Sequence, residues 1–204
     1  MHSQTRKVFF GDFVFNVSEN VYEPAEDSFL FAENLTANRG DYVLDVGTGC
    51  GILGIIVTAK ASKVVALDIN PFAVHCARTN AKLNHVADKM SFVQGDLFAP
   101  LKVDERFDLI LFNAPYLPAG HREGNSWLER AWAGGSTGRQ IIDRFILESV
   151  KHLRRSGRVL MLQSTLSDVD ETVNSYGEQG LKAKLLVEQG LPFFESIVLV
   201  ETRF

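Results

Sequence analysis

The chain has 204 residues, of which 46% are hydrophobic and 23% charged, a composition typical of a soluble globular protein. Its net charge of -4 offers no basic surface for a nucleic acid, and no apolar run reaches the roughly 20 residues that a membrane span requires. Cys50 and Cys76 form no C-x-x-C pair and the histidines lack metal-ligand spacing, so we expect no metal site. With no evident signal peptide, residues 1–204 predict a single cytoplasmic domain with no membrane partner, and the acidic charge balance disfavours a nucleic-acid partner.

The first part of the chain predicts an arm followed by a helix. Apolar and polar residues alternate in "KVFFGDFVFNVSENVY", which contains Gly11, so residues 1–22 are predicted to form an N-terminal hairpin or arm. The next stretch, "EPAEDSFLFAENL", predicts a helix with Pro24 at its first position and acidic residues in its first turn.

From Tyr42 onward, short buried strands alternate with helices. The predicted strands are 42–46, 63–69, 90–96, 107–113, 158–163, 181–190 and 193–204, and the predicted helices are 51–61, 71–84, 139–157 and 166–179. This alternation predicts an α/β fold: a Rossmann-like, seven-stranded, mostly parallel sheet with helices on both faces and an antiparallel C-terminal strand.

In such a sheet, ligands bind at the carboxyl ends of the strands, and the first of these ends carries "DVGTGCG", Asp45 to Gly51. The glycines at 47 and 49 allow a ligand to approach the backbone. The overlapping "GCGILG" matches the dinucleotide fingerprint, but it begins four residues after Asp45 rather than directly after the strand. A carboxylate repels a pyrophosphate and attracts an ammonium or sulfonium, so Asp45 favours S-adenosylmethionine (SAM).

The next two strand ends also carry carboxylates. Asp68 can accept both ribose hydroxyls, and Ile69 follows it in the predicted cofactor site. The alternative for Asp68 is an N-cap of the helix that starts at Pro71, although Asn70 is better placed for that role. At the third end, Asp96 can accept from an adenine amino group while Leu97 covers the ring; the alternative is an ordinary turn.

The fourth strand ends in "NAPY", residues 113–116. A planar nitrogen that is to be methylated presents two N–H donors, which the Asn113 side-chain oxygen and a neighbouring carbonyl can accept. Tyr116 can stack on the planar group, and Pro115 stiffens the turn. Such contacts orient the nitrogen for attack on a methyl group. Each residue taken singly also fits an ordinary strand-ending turn.

A long segment, Leu117 to Arg139, follows this turn and is predicted to be a lid or a binding surface. Its two tryptophans could instead be core anchors. We expect its glycines to allow close approach of a substrate loop and its arginines to contact an acidic or phosphate-bearing partner, unless they are simply solvated. These residues are Trp127 and Trp132; Gly134, Gly135 and Gly138; and Arg122, Arg130 and Arg139.

Together these motifs resemble those of class I SAM-dependent methyltransferases, and within them the HemK-like protein-glutamine N-methyltransferases of release factors, in the eukaryotic and archaeal branch. The resemblance lies in "VYEPAEDSFLF", "LDVGTGCG", "LDINP", "NAPY" and "ERAWAGGSTGRQIIDRF". It implies methylation of the glutamine in the Gly-Gly-Gln loop of a translation release factor, with SAM as cofactor. It also implies a heterodimer with a small zinc-binding activator subunit.

Carried over by position, the resemblance implies a catalytic turn and a set of cofactor contacts. The turn is Asn113, Ala114, Pro115 and Tyr116, and the cofactor contacts are Ser28, Asp45, Gly47, Gly49, Asp68, Ile69, Asp96, Leu97 and Asn113. The usual turn of the family is Asn-Pro-Pro-Tyr, so Ala114 is expected to keep the carbonyl acceptor and to lose only rigidity. For Ser28 and Asp27, capping of the first helical turn is the alternative.

Four other functions fit parts of the pattern. N6-adenine methylation of nucleic acid uses a similar turn, but the acidic pI of about 5.7 disfavours it. Lysine methylation needs a deprotonated, tetrahedral amine that fits a planar cradle less well. A SAM-fold binding subunit would not need intact Asp45, Asp68 and Asn113. A NAD-dependent oxidoreductase rests on "GCGILG" alone.

Overall fold

The computed structural model describes residues 5–119, 126–192 and 195–204. The chain divides into two compact units, Met1–Pro100 and Leu101–Phe204. Within the described residues, no helix is both long and apolar enough to cross a membrane.

The first unit is an antiparallel hairpin followed by three parallel strands with their helices. Its elements are β1 (Arg6–Phe10), β2 (Phe13–Val17), α1 (Glu26–Asn34), β3 (Tyr42–Val46), α2 (Ile52–Val57), β4 (Lys63–Asp68), α3 (Pro71–Leu83), a short 3-10 helix (Ala87–Lys89) and β5 (Met90–Gln94). The three parallel strands lie in the order β5-β4-β3, with Val46 opposite Leu67 and Asp68 opposite Gln94.

The second unit contributes four strands. Its elements are β6 (Phe107–Asn113), α4 (Trp127–Arg130), α5 (Gln140–His152), β7 (Leu153–Ser164), a 3-10 helix (Thr165–Ser167), α6 (Val169–Glu178), β8 (Lys182–Gly190) and β9 (Ser196–Arg203). The strands lie in the order β6-β7-β9-β8. β6 and β7 are parallel, and β9 is antiparallel to both of its neighbours.

The predicted fold class is confirmed, because strands β3 to β9 make a seven-stranded, mostly parallel sheet in which the C-terminal strand β9 is antiparallel. Several element boundaries differ from the prediction by a few residues, among them the end of α5 and the start of α1. α5 ends at His152 rather than at residue 157, because Leu153 is already the first residue of β7 and pairs with Phe107 of β6. α1 begins at Glu26, two residues after Pro24. That the whole chain forms one domain stays a prediction.

Apolar strand residues form the core of each unit. In the first unit, Val43, Leu44 and Val64 are completely buried. In the second, the rings of Phe112 in β6 and Phe145 in α5 are stacked with centroids 4.2 Å apart. Parallel strands covered on both faces require such uninterrupted apolar runs, which explains why the strands could be recognised in the sequence.

Asn80 of α3 and Asn84, the C-cap of the same helix, hold the N-terminal hairpin in place. The side-chain amide of Asn84 accepts from the N–H of Val14 at 3.0 Å and donates to its carbonyl at 2.8 Å. Asn80 does the same with Asn16, at 2.9 and 3.0 Å, and also donates to the carbonyl of Cys50 at 2.8 Å. The two amides therefore pair with β2 much as a neighbouring strand would, and Asn80 also ties in the loop that contains Cys50.

We expect Asn80→Ala to lower the free energy of unfolding by about 1–3 kcal/mol, because it leaves buried backbone groups of Asn16 and Cys50 without this partner. Thr79→Ala is the matched control on the same helix, since the exposed Thr79 hydroxyl donates to the carbonyl of His75, within its own helix. Urea unfolding followed by tryptophan fluorescence measures the difference. An Asn80→Ala midpoint equal to that of the control would contradict this role.

Candidate functional site

The carboxyl ends of β3, β4 and β5 bring several predicted site residues to one edge of the first unit. The glycine loop follows β3, Asp68 ends β4, and Asp96 and Leu97 follow β5. Parallel pairing in register places these ends side by side. The structure therefore groups the acidic and glycine residues of the predicted cofactor site as expected for this fold.

The glycine loop has a backbone that other residues would adopt only with strain. Gly47, Gly49 and Gly51 have φ angles of 66°, 57° and 91°. A Cβ at Gly51 would lie 3.1 Å from a side chain of α3, and one at Gly54 would lie 2.8 Å from Oδ2 of Asp45. A Cβ at Gly49 would have the carbonyl oxygen of Gly47 as its nearest neighbour, at 4.0 Å. Gly51 and Gly54 therefore permit close packing, whereas Gly49 borders open space.

Asp45 shapes this loop from the inside. It is 1% exposed, and its Oδ2 accepts from Oγ1 of Thr48 at 2.6 Å and from the N–H of Gly54 at 3.0 Å. Burial raises the pKa of Asp45 to about 7; the two hydrogen bonds oppose this shift and the charge of Asp68 adds to it. The bonds to Thr48 and Gly54 are a structural role that sequence reasoning missed.

Asp68 links the glycine loop to the start of α3. Its Oδ2 accepts from the N–H of Gly49 and its Oδ1 from the N–H of Asn70, both at 2.9 Å. Burial raises the pKa of this carboxyl as well. Asn70 is the N-cap of α3, because its side chain accepts from the N–H of Phe72 at 2.9 Å. Each carboxylate oxygen can accept a further hydrogen bond, so these contacts are compatible with ribose binding.

Asp45 and Asp68, the buried acid pair, fit a cationic ligand. Across residues 5–119, 126–192 and 195–204, no Lys or Arg forms an ion pair with Asp45 or Asp68. Two buried carboxylates without a counter-cation are costly to ionise, and a bound ammonium or sulfonium offsets that cost. SAM carries both groups, whereas a pyrophosphate would increase the repulsion.

The remaining predicted cofactor residues differ in their exposure. Ile69 is 42% exposed directly after Asp68, whereas Leu97 is buried with a φ of 46°. Ser28 is buried in α1, where its hydroxyl and its N–H both donate to Oδ1 of Asp27, at 3.1 and 2.6 Å. The N-cap of α1 is Ala25, which makes no side-chain cap. The Asp27–Ser28 contact is thus local to the first turn of the helix.

The predicted catalytic turn lies in the second unit, at the end of β6. Asn113 is opposite Leu162 of β7, and the N–H of the buried Ala114 donates to the carbonyl of Leu162 at 3.1 Å. A proline at position 114 has no N–H and could not make this bond. Ala114 therefore adds a hydrogen bond to the turn as well as losing rigidity, a contribution that the sequence comparison with Asn-Pro-Pro-Tyr did not predict.

Two glycines pack closely against the backbone of this turn, at the carbonyl oxygens of Pro115 and Tyr116. A Cβ at Gly134 would lie 2.5 Å from the carbonyl oxygen of Pro115, and one at Gly138 would lie 2.3 Å from that of Tyr116. Leu117 forms an isolated parallel bridge with Ala133. The close approach that these two glycines allow in the structure is to the turn itself, and the approach of a substrate loop stays a prediction.

The arginines and tryptophans of the same segment also differ from expectation. Arg139 is 8% exposed and donates to the carbonyls of Ser167 and Asp168, so it is neither solvated nor open to a partner. The guanidinium of Arg130 lies over the half-buried Trp127 ring at 5.0 Å. Trp132 is also half-buried, so neither tryptophan is a core anchor. Arg122 lies outside the described residues.

Comparisons with known proteins agree with this geometry. Residues 22–177 match the family described as "Methyltransferase small domain". A Methanocaldococcus jannaschii protein, provisionally named a protein N5-glutamine methyltransferase, is 44% identical over 181 residues, covering 88% of this chain and 90% of the relative. The mouse methyltransferase HEMK2 is 32% identical over 178 residues, covering 80% and 82%.

Among solved structures, this chain is similar to one in the E. cuniculi Mtq2–Trm112 complex, which is responsible for the methylation of the translation termination factor eRF1. The match has a TM-score of 0.71 at 22% identity and covers 90% of this chain and 98% of that one. At this identity the match supports the fold alone. By the family match and the two sequence relatives, the chain belongs to the methyltransferase small domain family and, within it, to the HemK-like SAM-dependent methyltransferases.

Proposed function

We propose that this methyltransferase transfers the methyl group of SAM to the side-chain amide nitrogen of a protein glutamine, the glutamine of a Gly-Gly-Gln loop in a translation release factor. The observation that carries the proposal is the 44% identity, over 88% of the chain, to a relative named for N5-glutamine methylation. The association of the E. cuniculi complex with eRF1 methylation supports the release factor as substrate.

In this proposal the first unit binds the cofactor, which supplies an electrophilic methyl group on a sulfonium. The carboxylates of Asp45 and Asp68 attract its positive charges, and Asp68 also accepts from the ribose hydroxyls. The open space beside Gly49 admits the ligand to the backbone. The other assigned cofactor contacts are Ser28, Gly47, Ile69, Asp96, Leu97 and Asn113.

The turn at the end of β6 holds the substrate amide. The two N–H groups of the substrate amide donate to the Asn113 side-chain oxygen and to the carbonyl of Ala114, while the Tyr116 ring stacks on the amide plane. These acceptors favour electron density on the nitrogen as it attacks the methyl carbon. When bound, SAM would supply the methyl group, and the amide nitrogen held by the turn would accept it in place of one proton, which would leave to solvent. Pro115 keeps residue 114 extended, with its carbonyl available.

The proposal includes a small activator subunit as a heterodimer partner. It is supported by the E. cuniculi relative, which was solved as a complex with Trm112. Co-expression with a Trm112-type protein followed by size-exclusion chromatography shows whether this chain forms the same kind of heterodimer.

The substrate assignment predicts methylation at one glutamine. We expect the protein, with its activator where required, to transfer label from SAM to a release factor and not to a variant in which the Gly-Gly-Gln glutamine is alanine. Mass mapping identifies the modified atom. Label on a lysine, or on adenine in DNA but not on the release factor, would contradict the assignment.

The same assay tests the turn. Asn113→Ala should lower kcat by roughly 10²–10³, the scale of one lost preorganised hydrogen-bonding group, and change SAM affinity far less. Asn174→Ala, at an exposed position on α6, is the matched control and should keep full activity. Full activity of Asn113→Ala would remove Asn113 from the mechanism.

The buried acid pair predicts a pH dependence of SAM binding. Because burial raises the pKa of Asp45 to about 7, a proton must leave this carboxyl when the cation binds below that pH. SAM affinity should therefore weaken as pH falls from 7 to about 5.5, by up to about tenfold per pH unit. Calorimetry in buffers of different ionisation enthalpy should show proton release. Asp45→Asn should flatten the profile; an unchanged profile in that variant would contradict the role of Asp45.

A further inference from the structure

A buried polar cluster lies directly behind the segment that supports the catalytic turn. Arg139 follows Gly138, and its Nη1 donates to the carbonyls of Ser167 and Asp168, both at 2.6 Å, and to Oγ1 of Thr172 at 3.0 Å. Its Nη2 donates to the Asp143 carboxylate at 2.7 Å. The planar guanidinium thus joins the start of α5 to the turn that precedes α6.

Thr172 and Gln163 extend this cluster to β7. Both are completely buried, and the Thr172 hydroxyl donates to Oε1 of Gln163 at 2.7 Å. Nε2 of Gln163 donates to the Ser167 hydroxyl at 3.2 Å. Gln163 follows Leu162, the residue whose carbonyl accepts from the N–H of Ala114. One end of the cluster therefore reaches the strand to which the catalytic turn is bonded.

The other end reaches the back of the same turn. Gly138 precedes Arg139. A Cβ placed on Gly138 would lie 2.3 Å from the Tyr116 carbonyl oxygen and 3.2 Å from Cβ of Ser167. Gly138 is thus in contact both with the turn and with a residue that the cluster holds. Because the backbones are this close, a shift of the 134–138 segment must move the carbonyls of the turn.

We propose that Arg139, Thr172 and Gln163 form a positioning cluster for methyl transfer, which holds the 113–116 turn from both sides and sets the direction of its substrate acceptors. This inference rests on the proposed function, because it assigns the turn to the substrate amide. A misplacement of about 1 Å at such acceptors can cost roughly 10²-fold in rate. None of the three residues is assigned a contact with SAM or with the substrate.

Thr172 offers the sharpest variants. Thr172→Val keeps the side-chain volume but removes the hydroxyl that bonds to both Arg139 and Gln163, whereas Thr172→Ser keeps the hydroxyl. Arg139→Lys replaces a planar fork with a single ammonium. Arg158→Lys is the matched control for a buried arginine: Arg158 pairs with Glu201 and lies opposite Leu109, towards the other end of β6 and β7.

The experiment measures kcat, KM and SAM affinity at a temperature where circular dichroism shows every variant to be folded. Thr172→Val and Arg139→Lys should lower kcat by roughly 10- to 100-fold with SAM affinity within about twofold of wild type. Thr172→Ser should restore most of kcat, and Arg158→Lys should keep it even if its melting temperature falls. These results together support the cluster as a positioning element.

A kcat for Thr172→Val within about twofold of wild type overturns the inference, as does an equal loss in Arg158→Lys, which would indicate a general effect of lost stability. The atom that the wild-type protein methylates distinguishes failure of the proposed function from failure of this inference. If wild type methylates a nitrogen other than the glutamine amide, the substrate assignment is wrong, and the kcat ratios on that other substrate still decide whether the cluster positions the turn.

Discussion

The carboxylates of Asp45 and Asp68 are buried at the end of β3 and β4, and nowhere in the described chain do they meet a Lys or Arg ion-pair partner. The geometry of the glycine loop depends on them, because Asp45 accepts from Gly54 and Asp68 accepts from Gly49. The groups that shape the loop thus also leave it with uncompensated negative charge. A bound cation would offset that charge, so the two carboxylates favour a positively charged cofactor.

In the second unit, close backbone contacts constrain the position of the turn at the end of β6. The turn at 113–116 is bonded to β7 through Ala114 and touched from behind at Gly134 and Gly138. Side chains at those two glycines would displace the turn, so the Gly-rich stretch is required for its position. A polar cluster centred on Arg139 then fixes the Gly-rich stretch itself. We infer that the position of this turn is set by residues that need no contact with substrate.

The sequence predicted those features that depend on neighbours in the chain. Buried apolar runs predicted the strands, and Asn70 was recognised as a helix cap because its position relative to Pro71 is local. The features that were missed depend on residues far apart in sequence. Leu153 extends β7 because it pairs with Phe107, and Arg139 is buried because it meets the turn near Ser167. Neither contact leaves a periodic or compositional signal.

We propose that the first unit binds a cofactor with positive charge and no phosphate. Isothermal titration of the protein with SAM and, separately, with NAD tests it most directly. The uncompensated carboxylates predict saturable SAM binding at one site per chain and no NAD binding under the same conditions. Measurable NAD affinity together with no SAM affinity would contradict the account.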